Sequence, residues 1–144
     1  MSTRAQVRFA TREEGVTFNE YPSVDKVYVE IYNHYDSYPA GLGVILAEFL
    51  EDFKVVNVLS FGRDKVANGM GCLAAQLIAY MKDGPGGIYL QKPSEDTGWA
   101  EYVYYIWAVE NKGIWISIFD TFDEKCIFVG KPEKLIEKYD EERN

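Results

Sequence analysis

Glu101-Tyr-Val-Tyr-Tyr-Ile-Trp-Ala-Val-Glu-Asn-Lys-Gly-Ile-Trp-Ile-Ser-Ile-Phe-Asp120 is the stretch that decides the fold of this chain. Two alternating runs, Glu101 to Val109 and Gly113 to Asp120, flank Glu110-Asn111-Lys112-Gly113, and this pattern predicts a β-hairpin. The first run sets Tyr102, Tyr104 and Ile106 against Val103, Tyr105 and Trp107. The second sets Ile114, Ile116 and Ile118 against Trp115, Ser117 and Phe119. Both faces are largely apolar or aromatic, so the hairpin is expected at the centre of a sheet, covered on both sides.

Shorter strands are expected around it. Arg4 to Phe9 alternates Ala5, Val7 and Phe9 with Arg4, Gln6 and Arg8, which reads as a half-buried strand. Its polar face is either a donor-rich strip or, more plainly, two arginines solvating an exposed sheet face. Val27 to Tyr32 alternates again, with Tyr28, Glu30 and Tyr32 opposite Val27, Val29 and Ile31. Val16 to Phe18, Ile88 to Gln91 and Cys126 to Val129 are further short strands, and Val55 to Phe61 is either strand or connection.

Helical spacing takes over after Pro39, a residue suited to a first helical turn. Leu42, Ile45, Leu46, Phe49, Leu50 and Phe53 form one apolar stripe. A second helix, capped by Asp64 or Asn68, carries Met70, Leu73, Leu77, Ile78 and Met81 and stops at Gly84-Pro85. Its Gly71, Ala75 and Ala79 leave a smooth strip, for close packing within one subunit or between subunits. Pro132 opens a last helix that docks through Leu135, Ile136 and Tyr139. The whole reads as one α+β domain over residues 1–144: a mostly antiparallel sheet, two principal amphipathic helices and a short C-terminal helix.

The chain has 144 residues and a net charge of −8. That charge argues against a binder of DNA or RNA polymers, which would need a broad basic surface. No apolar run reaches the roughly 20 residues of a membrane span, and the N-terminus lacks signal-peptide character, so a cytoplasmic protein away from membranes is expected. Cys72 and Cys126 are expected as two reduced, buried thiols. Eleven Tyr, eight Phe and three Trp exceed the needs of such a core. Some of these rings are therefore expected to line a ligand site or a subunit contact.

Tyr32-Asn-His-Tyr-Asp-Ser-Tyr-Pro-Ala-Gly-Leu-Gly43 holds the only histidine and joins a strand to a helix start. Helix-start N–H groups beside aromatic and polar side chains suit an anionic ligand. His34 and Asp36 share a face if extended, which allows an acid–base pair, although such residues also satisfy backbone N–H groups in turns. Tyr32, Tyr35 and Tyr38 suit packing or a nucleobase and ribose. Glycine is costly in a helix, so Gly41 and Gly43 imply that a helix, a subunit or a ligand approaches too closely for a Cβ. No zinc spacing, phosphate-binding loop, dinucleotide fingerprint or nucleophile elbow is present in the sequence.

The Thr3–Phe9 strand, the Tyr32–Gly43 stretch and Leu46 to Leu50 resemble small phage and prophage proteins of the first Thoeris anti-defence family. The resemblance covers about the first third of the chain. It implies an α/β protein without a cofactor that sequesters cyclic ADP-ribose isomers uncleaved, with some members also holding cyclic oligonucleotides. It further implies a homo-oligomer, dimeric or hexameric, whose pockets lie between subunits. On that footing Arg4, Arg8 and the helix start at Gly41 supply donors, and Tyr38, Trp99 and Tyr102 supply stacking. Tyr32, His34 and Asp36 complete the ligand-binding set. The alternatives are a small hydrolase or nuclease working through His34 and Asp36, and a module that makes protein contacts only.

Overall fold

The computed structural model describes residues 3–10, 26–56, 65–97, 99–109 and 113–140, and the side chain of Val109 is not among them. The expected Val16–Phe18 strand, the Asp64 cap, the hairpin turn at Glu110 to Lys112 and the Phe61 end of its stretch lie outside the described residues. The hairpin forms as read: β6 (Tyr102–Val109) pairs antiparallel with β7 (Gly113–Asp120). They lie inside a six-stranded sheet with β1 (Ala5–Ala10), β2 (Val27–Asn33), β5 (Ile88–Gln91) and β8 (Lys125–Gly130), ordered β5-β2-β1-β6-β7-β8. Only β1 and β6 pair in parallel in this sheet. A small parallel pair, β3 (Lys54–Val56) and β4 (Val66–Asn68), stands apart. The fold is α+β with a mostly antiparallel main sheet.

Three helices share one core with the Ala5–Val7–Phe9 face of the sheet: α1 (Val44–Leu50), α2 (Gly69–Met81) and α3 (Pro132–Tyr139). The first helix is shorter than its apolar stripe, because Pro39–Gly43 forms a wide π-type turn before it and Phe53 falls beyond its end. Asn68 stands at the N-cap of α2 but makes no side-chain capping bond there. Two expectations are corrected on α2. Cys72 is exposed rather than buried, although both cysteines are free. Gly71, Ala75 and Ala79 also face outward, so the strip does not pack within the chain. No helix among the described residues is long and apolar enough to cross a membrane.

The other face of the sheet is not the solvated surface that the arginines suggested. Arg8 is 1 % exposed and Glu30 and Gln6 are fully buried. Arg8 and Glu30 are register partners on neighbouring strands, and Arg8 Nε donates to Glu30 Oε1 at 2.6 Å. Arg8 Nη1 donates to the Tyr105 hydroxyl at 2.6 Å, and Nη2 donates to the Ser94 carbonyl. Gln91 Nε2 donates to Glu30 Oε2 at 2.5 Å, and Gln6 Nε2 donates to the Asp96 carbonyl at 3.2 Å. One ion pair thus ties four strands, β1, β2, β5 and β6, and the segment after β5 together.

Breaking that pair should be far costlier than replacing it whole. Glu30→Ala leaves a buried guanidinium without its carboxylate and is expected to cost about 3–5 kcal/mol. Arg8→Met with Glu30→Leu should cost less than the two single changes summed, as read by urea denaturation. The glycines separate in the same assay. A Cβ on Gly41 would lie 2.6 Å from the Asp36 carbonyl oxygen, whereas one on Gly71 meets nothing within 4 Å. Gly41→Ala should therefore destabilise by about 1–3 kcal/mol, and Gly71→Ala should stabilise by about 0.5–1 kcal/mol.

Candidate functional site

Two of the expected roles in Tyr32–Gly43 are taken by the chain itself. Buried Asn33 donates to the Tyr35 carbonyl at 2.7 Å and to Ser37 Oγ at 2.8 Å. The Tyr104 hydroxyl, brought from β6, donates to the Ser37 carbonyl at 2.6 Å. The N–H of Leu42 is bound to the Asp36 carbonyl at 3.0 Å and that of Gly41 to the Tyr38 carbonyl at 2.9 Å. Asp36 turns the chain at φ +50° to make this possible. Pro39, Ala40, Leu42 and Gly43 are buried, so the helix start is a packed corner and not an anion cradle. Gly41 is small because its own loop passes there, whereas a Cβ on Gly43 would meet Leu135 and Tyr104 at an ordinary 3.5 Å.

The rings at the strand end face outward instead. Tyr32 lies on the same sheet face as Gln6 and Tyr89, its register partners. Its ring stacks on Tyr89 at 5.5 Å and meets Trp99 edge-on at 5.0 Å and His34 edge-on at 5.7 Å. The Tyr32 hydroxyl and His34 Nδ1 share a hydrogen bond. His34 in turn meets Tyr35 edge-on at 4.6 Å. Tyr35 is 58 % and Tyr89 48 % exposed, so the platform is open.

Cations border it. Lys82 Nζ lies 5.7 Å over the Tyr89 ring and also donates to the carbonyls of Gly86 and Ile88. Arg4 is half-exposed, with Nη2 3.8 Å from Glu101 Oε1. Burial raises the Tyr32 phenol above its usual range, and Arg4 opposes this in part. Tyr32 is therefore held as a neutral phenol. Trp99 follows the segment that Arg8 and Gln6 hold through Ser94 and Asp96, and Ala100 N bonds back to the Thr97 carbonyl at 3.2 Å.

Of the residues singled out in the sequence, Arg4, Tyr32, His34 and Trp99 belong to this platform. Arg8 does not, because its donors are spent on Glu30, Tyr105 and Ser94. Tyr102 pairs with Ala5 and so lies on the helix side of the sheet, away from Tyr32. Asp36 has an exposed side chain, and His34 Nδ1 is engaged by the Tyr32 hydroxyl. Tyr38 is 43 % exposed and sits over Gly41 at the corner. Tyr89 and Lys82 were missed. Ile88 to Gln91 read as a short strand, but nothing in the sequence set Tyr89 beside Tyr32.

The corner has a titration signature. Burial, followed by the neighbouring Tyr102 and Tyr139, raises the Tyr104 phenol well above its ordinary value, with a backbone hydrogen bond at Gly43 opposing. The unfolded chain ionises this group near pH 10 and the folded chain resists, so its contribution is complete below about pH 10 and falls as pH rises beyond it. Tyr104→Phe should be less stable at neutral pH by about 1–2 kcal/mol. It should also lose less stability than the parent between about pH 9.5 and 11 in pH-dependent urea melts.

No protein-family model, curated protein or solved structure matches this chain.

Proposed function

We propose that this protein captures a cyclic nucleotide-derived signal of the cyclic ADP-ribose isomer class and holds it without converting it, in the cytoplasm, countering bacterial anti-phage defence. The observation that carries the reading is the open platform of Tyr32, His34, Tyr89 and Trp99 bordered by Arg4 and Lys82. A purine offers a π-face to such rings, and a pyrophosphate offers charge to the two cations. The resemblance of the Tyr32–Gly43 stretch supplies the ligand class. A cyclic oligonucleotide belongs to the same chemistry.

Neither of the two cavities described lies at the platform. Tight retention calls for a second wall facing the platform. A homo-oligomer, dimeric or hexameric, would supply it from a second subunit. The Tyr32 hydroxyl holds His34 through Nδ1, which orients the ring within the platform that this reading uses.

The test is capture and release. The protein is incubated with a cyclic ADP-ribose isomer, filtered, heat-denatured, and the released nucleotide is chromatographed. The expected result is retention followed by return of intact ligand. Trp99→Ala should weaken binding by about 5- to 150-fold, the equivalent of losing one stacked base. A changed product that vanishes in His34→Ala would overturn the reading in favour of an enzyme. Failure to retain any cyclic nucleotide would overturn it in favour of a protein-contact module.

A further inference from the structure

Tyr89 carries one of the stacking rings of the platform, yet it stands exposed on β5, a four-residue strand at the edge of the sheet. An exposed side chain there exchanges rotamers within nanoseconds unless its neighbours restrict it. The stack on Tyr32, at 5.5 Å with the ring planes 19° apart, needs one orientation to persist.

The restraint comes from the end of α2. The Lys82 N–H bonds to the Ile78 carbonyl at 2.8 Å, and the helix behind it is anchored through buried Leu73, Ala74 and Leu77. The Lys82 ammonium has three N–H donors. One goes to the Gly86 carbonyl at 2.7 Å and another to the Ile88 carbonyl at 2.9 Å, both in the chain that leads into Tyr89. The Ile88 N–H bonds to the Gly86 carbonyl at 2.9 Å, and the His34 N–H to the Gly87 carbonyl at 2.9 Å. Gly84, Gly86 and Gly87 take φ values of +69°, +82° and +76°. Glycine restricts its own backbone least of all residues, so bonds of this kind are what fix the turn.

The ring lies back over the same turn. A Cβ on Gly86 would meet the Tyr89 hydroxyl at 3.7 Å, and Lys82 Nζ lies 5.7 Å from the ring centroid. The two carbonyls that bind the ammonium are neutral, so its charge stays available to the ring face. Turn, ring and ammonium thus form one unit.

We infer that Lys82 is a positioning residue of the platform: it fixes the α2–β5 turn and holds the Tyr89 ring in its stack on Tyr32. Its bearing on capture rests on the function proposed above, whereas its hold on Tyr89 is a property of the free chain.

Lys82→Met keeps the apolar stem and removes the donors and the charge. In the ligand-free full chain, NMR should show the Tyr89 ring protons moving toward random-coil positions. Amide exchange should quicken at Ile88 and His34, the two N–H groups bonded to the turn, while the melting temperature stays at the parent's value. Lys82→Arg, whose guanidinium donates to carbonyls and stacks on rings, should restore all of these. Adenosine and a cyclic ADP-ribose isomer are then titrated against parent and variants. A ring held in place serves both ligands. Lys82→Met should therefore weaken adenosine by about 2- to 5-fold, the equivalent of one exposed cation–π contact, and the charged isomer by at least as much. A loss confined to the charged isomer would overturn the inference, because Lys82 would then supply charge alone. So would Tyr89 ring shifts that Lys82→Met leaves unchanged. A parent that binds neither nucleotide would overturn the capture reading, and the ring shifts and amide exchange of the free chain would still decide the role of Lys82.

Discussion

The pairing of Arg8 with Glu30 is the constraint from which the rest of the sheet follows. A buried ion pair adds little net stability, because desolvation of both groups offsets their attraction. Its effect here is on register. The two residues are direct partners across β1 and β2, and slipping either strand by one residue would turn one charge into the helix-side core and leave the other alone. The same guanidinium reaches Tyr105 on β6, and the same carboxylate receives Gln91 on β5. Four strands are therefore indexed to one pair of charges.

Indexing the strands also places the platform. With β1 and β2 in this register, Tyr32 lies beside Gln6, and with β5 added, Tyr89 lies beside Tyr32. The carbonyls of Ser94 and Asp96, caught by Arg8 and Gln6, fix the approach to Trp99. The buried layer thus sets the spacing of the rings. A platform built on strands and a pinned segment keeps its geometry better than one on a free loop, as the proposed capture of a ligand by stacking would require.

Alternation made the strand faces legible and left their coverage illegible. Tyr104, Ile106 and Ile116 separated correctly from Tyr105, Trp107 and Phe119, because a period of two follows from the backbone alone. The same rule set Arg8 and Glu30 on the polar face, but it cannot say whether that face meets water. Only the pairing of β1 with β2, a long-range event, brought the opposite charges together and made burial tolerable. Cys72 failed for a related reason: it lies in an apolar pattern, but the side of α2 that it occupies is exposed. Of the site, Tyr32, His34, Trp99 and Arg4 were legible as unusual choices, whereas Tyr89 and Lys82 arrive through β5, whose place at the sheet edge no local pattern encodes.

The stretch from Tyr32 to Gly43 divides into two kinds of residue, and this division governs what a likeness along it would mean. Asn33, Ser37, Pro39 and Gly41 build a corner: an amide and a hydroxyl close the loop, a proline begins the helix, and a missing Cβ lets the Asp36 carbonyl reach Leu42. Any chain turning from strand to helix in this way needs those four, whatever it binds. Tyr32 and His34 are different, because the corner would close without their rings, and both point to the open face instead. Likeness at the first four positions therefore speaks for a shared turn. Likeness at Tyr32 and His34 bears on a shared ligand, and it is there that the chemistry of this protein is to be sought.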